Sequence, residues 1–354
     1  MDMPTQVLST GDDLYPNPFE NLQPEPTLWH RTLSVMKVTI ILPLALVRIV
    51  VAVFILAWCA ITMNLILLGA KIPEGGTPKR IRSQLCQIVG TITARVLLCC
   101  LGVWWIKVTN KQYRDDRTRI IVCNHLHGLD GVLMAAKYGC SFVAKEEVGG
   151  WPLIGTICTA ISTIFVERGS GASTPASPSG SPPGSPRQGY GTEAPKKGAS
   201  NRIKERVKDE DAPPVVIFPE GTTGNQTAMM EFHSGAFRAA CPVQPVVIRY
   251  RWKHRNPSDA ASGTIASAVH NTFEFINHME MEYLPVYHPS EEERRNPRTY
   301  AHNVGQAIAQ SLEIPVVPFK YCDKLVYVGK RPYETATQAW KDRFSPDVVM
   351  EQKA

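Results

Sequence analysis

Two short strings hold the residue types and spacings that could do chemistry. In NHLHGLD (124–130), His125 stands five residues ahead of Asp130, directly after the apolar run IIVC (120–123). A carboxylate there can accept a hydrogen bond from one imidazole nitrogen, fixing the tautomer so that the other nitrogen can take a proton. In FPEGTTGN (218–225), a carboxylate (Glu220), a glycine and two hydroxyls follow the apolar run PPVVIF (213–218). Ligand sites in open α/β sheets form where strands end. The two strings predict a proton-accepting histidine on one strand end and a substrate-binding loop on another. His127 is a second imidazole nearby, but His-x-His with Asp130 lacks a distant further ligand, and no metal is assigned. The sequence holds no G-x-S-x-G elbow, so a hydrolase reading lacks its nucleophile.

The elements that must position these strings follow from periodicity. IIVC, PPVVIF and VQPVVIRY (243–250) read as strands, and GLDGVLMAAKYG (128–139) as the helix leaving the first. Alternation of strands and helices from about residue 118 predicts an α/β domain. Further on, Ser290 caps SEEER, and Asn296-Pro297 opens an amphipathic helix with a capping residue and a proline at its first position.

Ahead of that domain, Val38–Leu68 is nearly all apolar, interrupted by Arg48 and Asn64. Ile49–Leu68 alone is long enough to cross a bilayer as a helix. Two geometries stay open: a single span, or a re-entrant hairpin hinged near Pro43–Arg48. Lys71, Lys79, Arg80 and Arg82 follow the segment, whereas residues 1–36 hold one arginine and five acids. That bias predicts a cytosolic face for the α/β domain. The run VLLCCLGVWWI (96–106) is too short to span, and its tryptophans predict an interfacial or core helix.

The expected organisation is a disordered tail (1–30), a membrane-anchoring helical region (31–108), the α/β domain (109–325) and a polar tail (326–354). Within the domain, the Gly/Ser/Pro-rich stretch 169–200 predicts a disordered insertion, and its Thr174, Ser177, Ser181 and Ser185 each precede proline. A net charge of +6 over 354 residues suits an anionic membrane surface and is too scattered for nucleic acid. Nine cysteines without a C-x-x-C pair indicate neither a zinc site nor a disulfide framework.

Taken in order, NHLHGLD, AKEEVGGWPLIG (144–155), TIFVER (163–168), FPEGTTGN with FHSGAF (232–237), VQPVVIRY and EYLPVYHPSEEERRNP (282–297) resemble the blocks of the membrane-bound, PlsC-like glycerolipid acyltransferases. The likeness covers roughly residues 30–325. It is greatest to the lysophosphatidylcholine and lysophosphatidylethanolamine acyltransferase branch. It implies a glycerolipid acyltransferase-like α/β fold, a mixed sheet flanked by helices, preceded by an N-terminal membrane-embedded helical segment. It also implies re-acylation of a lysophospholipid by acyl-CoA, a co-substrate, with no cofactor.

On that resemblance His125 is the general base and Asp130 its partner. Glu220, Gly221 and Thr222 are acceptor-site residues, Glu220 either orienting glycerol hydroxyls or capping the strand–loop junction. The aromatic–Arg element maps onto Phe165, Val166 and Arg168, and Lys145 and Arg168 are candidate phosphate contacts. The partners implied are acyl-CoA, a lysophospholipid and the bilayer. The location implied is the endoplasmic reticulum membrane, with Golgi and lipid droplet as alternatives.

Two departures stand out. Many lysophosphatidic acid acyltransferases carry Arg directly after FPEGT, where this chain has Thr223; loss of that fork favours a headgroup such as choline or ethanolamine. Ser162 stands where the family's second block usually has glycine. Two other readings stay open: an acyltransferase acting on glycerol 3-phosphate or lysophosphatidic acid, and a non-catalytic membrane-remodelling protein on the same fold.

Overall fold

The protein is described from a computed structural model covering residues 15–22, 28–70, 77–166, 198–252, 256–260 and 264–345. Two long helices come first: α1 (Leu28–Leu67) and α2 (Arg80–Cys100). The α/β part then runs β1 (Ile106–Thr109), β2 (Ile120–Cys123), α3 (Leu129–Lys137), β3 (Ser141–Lys145), α4 (Glu146–Gly149), α5 (Ile154–Ala160) and β4 (Ile164–Val166). It continues with α6 (Ala199–Lys208), β5 (Val215–Ile217), β6 (Met229–Met230), β7 (Val243–Arg251), α7 (Thr264–Thr272) and β8 (His278–Tyr283). Last come α8 (Glu291–Arg295), α9 (Pro297–Leu312), β9 (Val316–Val317), α10 (Tyr321–Tyr327) and α11 (Gln338–Arg343).

Seven strands form one mixed sheet in the order β1-β8-β7-β2-β5-β3-β4. From β7 to β4 neighbouring strands are parallel; β8 runs antiparallel to β7, and β1 parallels β8. Strands β2 and β5 are buried along their whole length, so alternate side chains feed two cores. Ile120, Val122, Val215 and Ile217 meet Ile203 of α6 and Tyr300, Val304 and Ile308 of α9 on one face. Ile121, Cys123 and Val216 meet Leu98 of α2 and Leu133 and Met134 of α3 on the other. This is the expected helix-flanked mixed α/β sheet, and it puts the C-terminal ends of β2, β5, β3 and β4 along one edge.

The start of α9 is as expected: the Asn296 side chain accepts the N–H groups of Arg298 and Thr299, with Pro297 following it. Ser290 and Glu293 form a reciprocal capping box at α8.

The apolar segment is one helix of 40 residues, continuous through Pro43, about 60 Å long at 1.5 Å per residue. It has no hinge at Pro43–Arg48; the chain reverses after Leu67 instead. α2 packs antiparallel on α1, with Leu97 and Leu101 against Ala52 and Leu56, and Cys86 against Cys59 and Met63. α2 is longer than the run 96–106 suggested, because its N-terminal half interleaves polar and apolar residues. Both α2 and the stretch Thr39–Leu67 of α1 are long and apolar enough to cross a membrane, by length and composition. Residues 103–105 are in no helix or strand, and β1 begins at Ile106.

Arg48, which only interrupted an apolar run in the sequence, is buried and joins α1 to the α/β part. Its guanidinium donates to the carbonyls of Thr272 (2.8 Å), Glu274 (2.7 Å) and Phe275 (3.1 Å). A cation at the C-terminal end of α7 satisfies carbonyls that the helix leaves open.

The expected terminal tails differ as well. Phe19 is fully buried among Val326, Tyr327, Trp340 and Phe344, so residues 15–22 and the segment 319–344 form a third apolar cluster. Asn225 donates to the carbonyls of Asn17 (2.9 Å) and Glu20 (3.0 Å), tying this cluster to the FPEGTTGN loop. A domain end at 325 would cut α10. The insertion ends earlier than 200, since α6 begins at Ala199. Residues 169–197 and their Ser/Thr-Pro sites lie outside the described residues.

Ser162 has a physical reason for glycine at its position. Its φ is +65°, in the left-handed region, and its buried hydroxyl has no hydrogen-bond partner among the described residues.

Candidate active site

β2 ends at Cys123, and the Asn124 side chain continues its pairing with β7. Asn124 accepts from the Ile248 N–H (2.8 Å) and donates to the Ile248 carbonyl (2.9 Å). That frees the backbone to turn through His125–Gly128 into α3. Asp130, in the first turn of α3, is fully buried. Its Oδ2 accepts from His125 Nδ1 (2.9 Å) and from the N–H groups of Leu126 (2.7 Å) and His127 (2.9 Å). Its Oδ1 accepts from the Tyr250 hydroxyl (2.6 Å).

With Nδ1 engaged by a carboxylate, the imidazole carries its proton there and presents Nε2 as the basic nitrogen. The ring stacks on Phe218 at a centroid distance of 4.3 Å. The His125 side chain is 22% exposed while that of Asp130 is 0% exposed, so substrate can reach the first only. The sequence-predicted pair is thus brought together in a geometry suited to proton abstraction.

The FPEGTTGN loop braces this histidine. Glu220 is buried, and its two oxygens accept the N–H groups of His125 (2.7 Å) and Met230 (3.0 Å). Gly224 in turn donates to the His125 carbonyl (2.9 Å). Of the two roles the sequence left open for Glu220, the geometry matches the junction-capping one. Gly221 has φ +71°, and a Cβ there would approach the His233 ring to 3.1 Å, so glycine is required. Thr222 and Thr223 are buried beside it.

Burial pushes the Glu220 carboxyl from its ordinary 4.5 up to about 8, against the lowering pull of the two backbone N–H groups. Between those values the unfolded chain releases a proton that the folded chain keeps, so Glu220 makes stability fall as pH rises. Below 4.5 the group is protonated in both states, and above about 8 the loss is complete. Glu220→Gln cannot titrate, so its deficit in thermal midpoint relative to the natural chain should shrink between about pH 5.5 and about pH 8.5. A deficit that stays constant or widens, measured in detergent solution, would refute this account.

Lys145 closes β3, and its ammonium lies 4.7 Å from the centroid of the Tyr321 ring, with the hydroxyl at 3.3 Å. Phe165 pairs opposite Ala144 in β4 and packs on Gly149 of α4, and its carbonyl accepts from Arg202 (2.7 Å). Arg168 lies outside the described residues. His127 is not part of the same chemistry. Its Nδ1 accepts the Leu129 N–H (2.8 Å) and its Nε2 faces Ser267 and Asn271, so the ring braces the α3 entrance.

Residues missed by sequence reasoning are Tyr250 on Asp130, Gln226 on the Tyr250 backbone, and Tyr321 and Lys324 from α10. Lys324 Nζ donates to Thr223 Oγ1 at 2.6 Å. Tyr250 sat in a recognised strand, where period-two alternation could have set it apart from Arg249 and Arg251. Lys324 carried no local signal.

Residues 105–249, which hold β2, β5 and both strings, match the acyltransferase family model. This segment belongs to the acyltransferase family. The chain is 29% identical to the lysophospholipid acyltransferase LPEAT2 of Arabidopsis thaliana, over 88% of this chain and 52% of that one. It is 38% identical to the human lysophospholipid acyltransferase LPCAT4 over 73% and 47%, and 28% identical to the human lysophosphatidylcholine acyltransferase 1 over 78% and 48%. The chain therefore spans about half the length of these curated relatives.

Proposed function

We propose that this chain is an acyl-CoA-dependent lysophospholipid acyltransferase. One observation carries the reading: within an acyltransferase-family segment, a partly exposed imidazole is held through Nδ1 by a buried carboxylate at a strand end. His125 Nε2 takes the proton of the lipid hydroxyl as its oxygen attacks the thioester carbonyl. The carbon–sulfur bond then breaks, the acyl ester forms, and the CoA sulfur leaves as a thiol with the proton from Nε2. Asp130 stabilises the transient imidazolium, and the lipid's own oxygen is the nucleophile, so no acyl-enzyme is formed.

Lysophosphatidylcholine or lysophosphatidylethanolamine is the favoured acceptor. Thr223 after FPEGT supports this, as do the relatives whose names carry lysophospholipid or lysophosphatidylcholine. The bilayer is the proposed cover for the apolar side chains that α1 and α2 leave exposed, among them Phe54, Trp58, Ile81, Ile88 and Ile92. Exposed Trp104 and Trp105 suit the headgroup level, and the basic residues at 79–82 support a cytosolic catalytic face. The endoplasmic reticulum membrane is the proposed location.

The test is acyl transfer from labelled oleoyl-CoA by the full chain in membranes. The acceptors are lysophosphatidylcholine, lysophosphatidylethanolamine, lysophosphatidic acid and glycerol 3-phosphate. Turnover is expected to be highest with the first two. Preference for either of the last two would reassign the acceptor, and no transfer to any would end the reading.

A further inference from the structure

α7 touches the ends of two apolar helices at one point and the NHLHGLD string at another. At its C-terminal end, buried Arg48 of α1 donates to the carbonyls of Thr272 (2.8 Å), Glu274 (2.7 Å) and Phe275 (3.1 Å). The Asn277 amide, in the following turn, donates to the carbonyls of Leu101 at the end of α2 (2.8 Å) and of Asn271 (3.0 Å). A Cβ on Gly102 would lie 3.0 Å from the Phe275 carbonyl, so the end of α2 sits directly against this turn. Phe275 and Ile276 are exposed there, which gives the turn apolar surface beside α1.

Further back along α7, Ser267 and Asn271 lie one turn apart on one face, and both are buried. His127 Nε2 stands 3.1 Å from Ser267 Oγ and 3.2 Å from the Asn271 amide nitrogen. On the other side of the ring, Nδ1 accepts the Leu129 N–H (2.8 Å). Leu129 opens α3, and the next residue, Asp130, holds His125 Nδ1 at 2.9 Å. We propose that Arg48 and His127 are positioning residues for the His125–Asp130 pair, joined through α7, so that the seating of the apolar helices sets the alignment of the pair.

Three features support this. First, His127 is fully buried with both ring nitrogens engaged, so it is placed to hold geometry and not to meet substrate. Second, the planar fork of Arg48 grips three successive acceptors at a helix end, which fixes α7 along and around its axis. Third, Thr272 and Ser267 are five residues apart, about 7.5 Å at 1.5 Å per residue, so a shift at one end of this short rod is carried to the other. A misplacement of about 1 Å at reacting groups can cost a factor of about 100 in rate.

The proposal rests on the reading that the chain acylates lysophospholipids, and a double-mutant cycle on the full chain in membranes tests it. His127→Asn separates the two contacts of the ring. Asparagine can accept the Leu129 N–H in an Asx turn, but it is too short to reach α7. His127→Asn and Arg48→Met should each lower kcat by about tenfold to a hundredfold. Both KM values, for lysophosphatidylcholine and for oleoyl-CoA, should stay within about twofold. The double variant should fall no more than about threefold below the worse single variant, because both changes cut the same link. Multiplying losses, or an unchanged kcat in either single variant, would overturn the link.

Should Arg48→Met fail to fold, Asn277→Ala takes its place, since it frees α7 from the end of α2. Hydrogen exchange read by mass spectrometry supplies a measure that needs no turnover. Arg48→Met should speed exchange of the first amides of α3, Leu129 among them, by about tenfold relative to the natural chain. Equal exchange at those amides would overturn the proposal. An inactive natural chain would sink the functional reading and leave this link to be judged by exchange alone.

Discussion

His125→Ala is expected to lower the rate of acyl transfer by about two to four orders of magnitude, the usual worth of a positioned general base. A lipid hydroxyl cannot attack a thioester effectively at neutral pH while it keeps its proton, and in the proposed mechanism His125 removes it. The fold should survive. The imidazole is 22% exposed, and the bonds that shape its loop run through the His125 backbone, to Glu220 and from Gly224. Alanine keeps those bonds and forfeits the stacking on Phe218. Initial rates at saturating oleoyl-CoA, with thermal unfolding as a control, make the comparison. A variant that folds and keeps more than about a tenth of the natural rate would remove His125 from the chemistry.

How much of this was legible in the sequence depended on distance along the chain. His125 and Asp130 lie five residues apart, with an apolar strand before them and a helix after them, so local pattern sufficed. The same holds for the caps at Ser290 and Asn296. Tyr250 is 120 residues from Asp130, and Lys324 is 101 from Thr223. No periodicity links such pairs; only the order of strands in the sheet and the path of the C-terminal segment do. Arg48 looked like a blemish in a membrane helix because its partners are bare carbonyls at the end of α7, which leave no mark in a sequence. Phe19, Trp340 and Phe344 each stand in polar surroundings, so the tails read as tails until folding gathers their rings with Tyr327. Glu220 was legible as a carboxylate at a strand end, but not as a brace whose two oxygens both face backbone N–H groups.

Asp130 should be the most sensitive position of all, and its substitutions should separate charge from hydrogen bonding. Four donors converge on two oxygens inside a fully buried pocket. Asp130→Ala abandons all of them, and a buried donor left unsatisfied costs about 1–3 kcal/mol. Four such losses, about 4–12 kcal/mol together, are comparable to the roughly 5–15 kcal/mol by which domains are stable, so this variant is expected to be recovered poorly from membranes. Asp130→Asn behaves differently. Its carbonyl can occupy the Oδ2 position and keep His125, Leu126 and His127, while its amide faces Tyr250, whose hydroxyl can rotate to accept. The fold should hold with a modest fall in thermal midpoint, but the negative charge that stabilises the imidazolium is lost. The rate should therefore drop by about two to four orders of magnitude. Tyr250→Phe alone should cost far less, since it removes one of four donors and leaves the charge in place. If Asp130→Asn were to keep its rate within about tenfold, the carboxylate would be a structural hub, and His125 would work without an ionic partner.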